Sequence, residues 1–163
     1  MLRYIGKEEQ EILNRVLEGQ QLWYHGADFV RQFEQEFAKH LGVQHVLAVN
    51  SGTSALEAAV AACGIEPGDE VICTAYSFIA SSLAVVSLNG VPVFADVDPQ
   101  TLCLDPEDIE SKITKRTKAV IVVHIHGQPA DMDRILGVAS RNSLYVIEDC
   151  AQAHGAQYKG KKV

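Results

Sequence analysis

Apolar residues recur at helical spacing along the first forty positions, then gather into short blocks separated by further helical stretches. Residues 8–18 carry Ile12, Leu13, Val16 and Leu17, and residues 27–41 carry Phe29, Val30, Phe33, Phe37 and Leu41. Both spacings make an apolar stripe and predict two amphipathic helices, the second ended by Gly42. Residues 21–26 break the period and include the only tryptophan, Trp23, so a loop or extended segment is expected there. From position 44 the blocks are β-rich, at 45–49, 70–73, 91–95, 119–124 and 144–148, which predicts five strands. The intervening stretches 54–63, 78–88, 106–113 and 132–140 have helical length and composition. Strand, helix, strand in repetition predicts an α/β fold with a mainly parallel sheet covered by helices on both faces. The dipeptides and tripeptides that punctuate chains, Pro67-Gly68-Asp69, Asn89-Gly90 and Asp98-Pro99, fall where strands must start or stop. After the last strand, 158–162 reads as a polar turn.

Composition narrows the function classes. Of 163 residues 47% are apolar and 21% charged, the balance of a globular domain and not of a disordered tail. Twenty-one acidic against fourteen basic residues leave a net charge of -7, so the electrostatic footprint of a nucleic-acid or anionic-lipid binder is missing. The longest apolar blocks, 119–123 and 83–88, fall far short of the roughly 20 residues that cross a bilayer. Met1-Leu2-Arg3-Tyr4, followed by Lys7-Glu8-Glu9-Gln10, lacks the order of a secretory signal, and a cytoplasmic location is expected. Cys63, Cys73, Cys103 and Cys150 form no CxxC pair and are read as buried thiols.

Three motifs offer chemistry at the ends of predicted strands. Asn50-Ser51-Gly52-Thr53-Ser54 follows the first and opens a helix, where free backbone donors and the positive end of the helix dipole suit an anion. Ordinary N-capping by Ser51 or Thr53 accounts for the same residues equally well. Glu148-Asp149-Cys150-Ala151-Gln152-Ala153-His154-Gly155 ends the fifth strand, at the sheet edge where open α/β folds bind ligands. Glu148 and Asp149 are adjacent and point to opposite faces if the strand persists, so that only one of them reaches a ligand; an acidic pair that caps a turn is the alternative. Thr74-Ala75-Tyr76-Ser77-Phe78 puts an aromatic ring at the same edge, either to stack on a flat ligand or to fill the core. His124-Ile125-His126-Gly127 closes the fourth strand, and its two imidazoles are expected to share a face. No companion set of ligands for zinc accompanies them, and no metal site is expected. The GxSxG elbow of a hydrolase, the P-loop and GxGxxG are all absent.

Five motifs, Phe33-Glu34-Gln35-Glu36-Phe37-Ala38, Asn50-Ser51-Gly52-Thr53-Ser54-Ala55-Leu56, Pro67-Gly68-Asp69-Glu70-Val71-Ile72, His124-Ile125-His126-Gly127-Gln128-Pro129-Ala130-Asp131-Met132 and Glu148-Asp149-Cys150-Ala151-Gln152-Ala153-His154-Gly155, stand in the order and at the spacing that resembles the DegT/DnrJ/StrS aminotransferases. The resemblance runs from about Gly26 to Lys162. It implies the large domain of a fold type I pyridoxal-phosphate enzyme, with residues 1–25 as an N-terminal helical segment and 26–163 as the first part of the cofactor-binding domain. By the same resemblance Ser51, Gly52 and Thr53 hold the cofactor phosphate, Phe78 stacks on the pyridine ring and Asp149 pairs with the ring nitrogen. Gln152 sits beside the ring hydroxyl and His154 stands behind these residues near the cleft. His126 replaces the family's usual tyrosine and is given no catalytic role. The implied reaction is transfer of an amino group, from glutamate as the expected donor, to a nucleotide-linked keto-sugar by a homodimer. The lysine that forms the Schiff base is expected beyond Val163, since Lys159, Lys161 and Lys162 follow the last motif in a different context. The sequence is therefore read as the N-terminal part of a longer enzyme. The alternative is a non-catalytic relative that binds pyridoxal phosphate, a nucleotide-sugar or a partner subunit, and a flavodoxin-like or Rossmann binder is disfavoured by the missing glycine fingerprint.

Overall fold

A computed structural model describes residues 5–20, 22–24 and 28–163. Of the expected loop, Gln21, His25 and Gly26 lie outside the described residues, as do Ala27, the expected start of the second helix, and Met1 to Tyr4. The chain divides after Ala48 into two compact units. Helices α1 (Lys7–Gly19) and α2 (Asp28–Leu41) make up the first. Arg15 of α1 lies over the Phe29 ring of α2 at 5.0 Å and, within α2, Phe33 stacks on Phe37 at 5.4 Å, yet neither helix has a fully buried residue. Gly42 ends α2 at φ 75°, a conformation that costs glycine little, and its N–H donates to the Ala38 carbonyl.

The second unit is a three-layer α/β assembly. Strands β1 (Glu70–Thr74), β2 (Val91–Ala95), β3 (Thr117–Val123) and β4 (Tyr145–Asp149) form one all-parallel sheet in the order β2-β1-β3-β4. Helices α3 (Gly52–Ala62), α4 (Ala80–Ser87), α5 (Pro106–Lys112) and α6 (Met132–Arg141) cover it. The alternation of side chains along each strand sorts the core into two layers. Val71, Cys73, Ala119, Ile121 and Ile147 pack against Leu56 and Val60 of α3 and Ala80, Ala84 and Val85 of α4. Ile72, Val120 and Val122 pack on the other face against Ile109 of α5 and Ile135 and Val138 of α6. Local chemistry starts the helices where the sequence placed them. Asp105 accepts from the Glu107 N–H ahead of Pro106, and Asp131 caps α6 by accepting from Arg134 N–H.

Two expectations fail. Residues 45–49 are not a strand: they have no ladder partner among the described residues, and Leu47 is 68% exposed. β-rich composition specifies a strand only when a neighbour takes up its backbone donors and acceptors. The segment 158–162, expected as a plain turn, is a two-stranded antiparallel hairpin of β5 (Gln157–Tyr158) and β6 (Lys161–Lys162). Lys159 and Gly160 make its turn with φ of 49° and 82°, the left-handed pair that a two-residue hairpin needs. Tyr158 Oη donates to Asp131, and Lys159 forms an ion pair with Asp133, which ties the hairpin to α6.

At the turn into β2, Gly90 has no room for a side chain. A Cβ there would come within 3.0 Å of Val85 Cγ1 and 3.2 Å of the Val85 carbonyl oxygen. Gly90→Ala is therefore expected to destabilise the fold by about 1–3 kcal/mol, measured as a lower urea midpoint at unchanged slope.

Candidate functional site

The sheet order places β1 and β3 side by side, with the return to β2 leaving one side and the return to β4 leaving the other. This is a topological switch point, and the crevice beyond the strand ends there is where open α/β sheets take ligands. A cavity of about 240 Å³ lies in it, lined by Gly52, Thr53 and Leu56 of α3, Phe78 and Ala80 at the start of α4, Val123 at the end of β3, Asp149 at the end of β4, and Ala151 and Gln152 beyond it. Five of the seven residues singled out from the sequence thus meet in one cavity: Gly52, Thr53, Phe78, Asp149 and Gln152. Ser51 and His154 do not line it.

Ser51 answers the question left open about its motif. Its Oγ accepts from Ser54 N–H at 3.1 Å and donates to Ser54 Oγ, so it is the N-cap of α3. Gly52 and Thr53, which line the cavity, stand in the first turn of α3, where backbone N–H groups have no intrahelical acceptors. Phe78 is 71% exposed and belongs to neither core layer, so its ring is a cavity wall and not core filling. The two adjacent carboxylates part as strand geometry requires. Asp149 faces the cavity, where its Oδ2 accepts from Ser81 Oγ and its Oδ1 from Ala151 N–H, each at 3.1 Å. Glu148 turns to the other face, with Oε2 3.0 Å from Nε2 of the buried His124. His124 Nδ1 accepts from Ala130 N–H, which makes Nε2 the protonated nitrogen of a neutral ring and the donor to Glu148.

The two histidines do not share a face. β3 ends at Val123, and a 3-10 turn over Ile125–Gly127 sends His126 into a left-handed conformation at φ 54°. Its imidazole meets Tyr76 edge-on, with Nε2 3.3 Å from Tyr76 Oη. No group of three or more His, Cys, Asp or Glu side chains among the described residues has the arrangement of a metal cage. His154 is exposed on the turn after the cavity. Sequence reading missed Ser81, which orients the cavity carboxylate from across the sheet. Its only signal was a hydroxyl three residues after Phe78, one helical turn along.

Cys150 follows Asp149, and its thiol is pushed up to about 11, first by burial and then by the Glu148 and Asp149 carboxylates. All four cysteines are unpaired. At pH 8, Ellman's reagent is expected to label Cys150 about a hundredfold more slowly than an unperturbed cysteine, because only the thiolate reacts. Rapid labelling at Cys150 itself, located by mass spectrometry, would contradict its burial.

Cavity, sheet edge and switch point together define a domain of the open parallel α/β class, with a cavity where such folds take ligands. Comparison with known proteins makes this specific. The model of the DegT/DnrJ/EryC1/StrS aminotransferase family matches residues 3–163, and the chain belongs to that family. It is 53% identical over 133 residues to the L-glutamine:2-deoxy-scyllo-inosose aminotransferase of Streptomyces lividus, an alignment that covers 82% of this chain and 31% of that protein. It is 51% identical over 134 residues to the GDP-perosamine synthase of Caulobacter vibrioides, covering 82% and 36%. The crystal structure of NtdA from Bacillus subtilis with bound cofactor PMP superposes with a TM-score of 0.88 at 39% identity, over 98% of this chain and 37% of that one. The fold is thus that of the fold type I large domain, and the chain spans about a third of the length of the relatives it matches.

Proposed function

We propose that this chain forms the cofactor-binding wall of a pyridoxal-phosphate-dependent aminotransferase that aminates a keto-sugar or a related cyclic polyol ketone. The observation that carries the reading is the meeting of an amide-lined helix start, an exposed aromatic ring and an anchored carboxylate in one cavity of about 240 Å³. The residues present fit the cofactor's three chemical features. The Gly52 and Thr53 N–H groups suit its phosphate. The Phe78 ring suits its flat face. Asp149, held on both oxygens and still with lone pairs free, suits a protonated ring nitrogen. When bound, pyridoxal phosphate supplies an electron sink for the pair released as a Cα proton leaves. Asp149 keeps the ring nitrogen protonated, Ser81 and Ala151 N–H keep Asp149 in place, and Phe78 excludes water from one side.

The amino donor in this reading is glutamate or glutamine, and the acceptor a ketone on a six-membered ring, free or nucleotide-linked. The names of the two relatives above span both kinds of acceptor. Residues 1–25 are the N-terminal helical segment and 26–163 the first part of the large domain of a homodimeric enzyme. Four unpaired thiols suit a reducing cytoplasm. The catalytic lysine belongs to a part of the enzyme outside these residues. Among the described residues no lysine lines the cavity, and Lys159 is engaged by Asp133. That same observation favours, as a second reading, a module that binds the cofactor without turnover.

Equilibrium dialysis of the 163-residue chain against pyridoxal 5′-phosphate tests the shared premise. Saturable binding at one site, weakened by Phe78→Ala, is expected. Binding that Phe78→Ala leaves untouched would place the cofactor elsewhere and overturn the reading. Turnover by this chain alone with an amino donor would overturn the second.

A further inference from the structure

The turn after β3 touches the cavity through one contact that the proposed function does not explain. Gln152, a cavity residue, has its side-chain Oε1 3.0 Å from the backbone N of His126. A backbone N–H only donates, so the Gln152 atom that meets it is the amide oxygen. That contact settles the orientation of the amide and leaves the two N–H donors of Nε2 for whatever occupies the cavity. The turn is built for the contact. His126 and Gly127 are both left-handed, at φ 54° and 81°, and Gln128 N–H donating to the Ile125 carbonyl closes the turn. The His126 N–H is thereby taken out of the β3 ladder and given to Gln152.

We propose that residue 126 is a positioning residue: through its left-handed backbone, and not through its imidazole, it fixes Gln152 as a hydrogen-bond donor to an anionic oxygen of the bound ligand. Away from the helix start, the cavity then offers an anionic side-chain acceptor, Asp149, and a neutral side-chain donor, Gln152. It selects a ring that carries a protonated nitrogen and an ionised hydroxyl at separate positions. The identity of that ligand rests on the proposed function; the orientation of Gln152 does not.

Two measurements on the full 163-residue chain separate them. The first needs no ligand. Exchange of the His126 amide hydrogen, followed by NMR, is expected to be slow in the native chain and about tenfold faster in Gln152→Leu. Unchanged exchange in Gln152→Leu would overturn the positioning. The second follows, by absorbance, the ring-hydroxyl ionisation of bound pyridoxine 5′-phosphate, a probe that has no aldehyde and needs no lysine. A donor at the oxygen favours its ionised form. Gln152→Leu is therefore expected to raise the pH of ionisation by roughly one to two units, the size of a hydrogen bond to a charged group. His126→Gly and His126→Asn keep the N–H and tolerate positive φ, so both are expected to titrate like the native chain, as is Tyr76→Phe. His126→Val, strained at positive φ, is expected to follow Gln152→Leu. A shift in His126→Gly or His126→Asn as large as that of Gln152→Leu would assign the effect to the imidazole and overturn the proposal, whether or not the valine variant folds. Failure of the native chain to bind the probe would instead overturn the proposed function, with the exchange result still deciding the role of residue 126.

Discussion

Asp149→Asn is expected to weaken binding of pyridoxal 5′-phosphate by about a hundredfold, or about 3 kcal/mol, the usual cost of removing one partner from a hydrogen-bonded charge pair. The substitution keeps the shape of the side chain but removes the charge that, in the proposed function, holds a proton on the ring nitrogen. It also sets an amide donor against either Ser81 Oγ or Ala151 N–H, both of which now donate to the carboxylate. Dialysis measures the affinity, and a parallel urea melt gives the change in fold stability, which is expected to stay below about 1 kcal/mol. A variant that binds as well as the native chain would show that Asp149 faces no cation.

The second large effect is on stability. Glu70→Ala is expected to cost about 2 kcal/mol, from the loss of hydrogen bonds to a charged group, and to lower the melting temperature by roughly 6 °C. Glu70, at the start of β1, is 4% exposed and accepts from Arg116 Nε at 2.9 Å, from Arg116 Nη2 and from the Thr114 and Thr117 hydroxyls. The Thr114 hydroxyl first, then Arg116, hold its carboxyl below the usual carboxylate range against the opposing cost of burial. A carboxyl whose folded-state value is depressed stabilises the fold fully above its unfolded value, near pH 4.3, and loses that contribution as pH falls through the folded value. Native stability should therefore decline below about pH 4.5, and the decline should be shallower in Glu70→Ala. Parallel slopes in urea melts at pH 3 to 6 would contradict the assignment.

Most of the second unit was legible in the sequence because its strands are short apolar runs bounded by Pro, Gly and Asp, and its helices carry their own caps. Ser51, Asp105 and Asp131 each act within three residues of themselves, so local pattern suffices. The strand expected at 45–49 failed for the opposite reason, since pairing is not a local property. The site was legible as far as motifs at strand ends predict a common edge. What stayed hidden were the contacts that cross the sheet. Ser81 reaches Asp149 over 68 positions, and Gln152 reaches the His126 backbone only because a left-handed turn interrupts a run that otherwise reads as strand.

β1 carries a consequence for how the protein tolerates change. Glu70 anchors its entry end, while its exit end, Thr74, opens onto the cavity loop, and four residue steps of roughly 3.3 Å put about 13 Å between them. At that separation substitutions act almost additively. Variants that harden the protein against heat or acid by reworking the polar knot at the entry end should accumulate without retuning ligand affinity at the exit end, so robustness and recognition are free to drift independently.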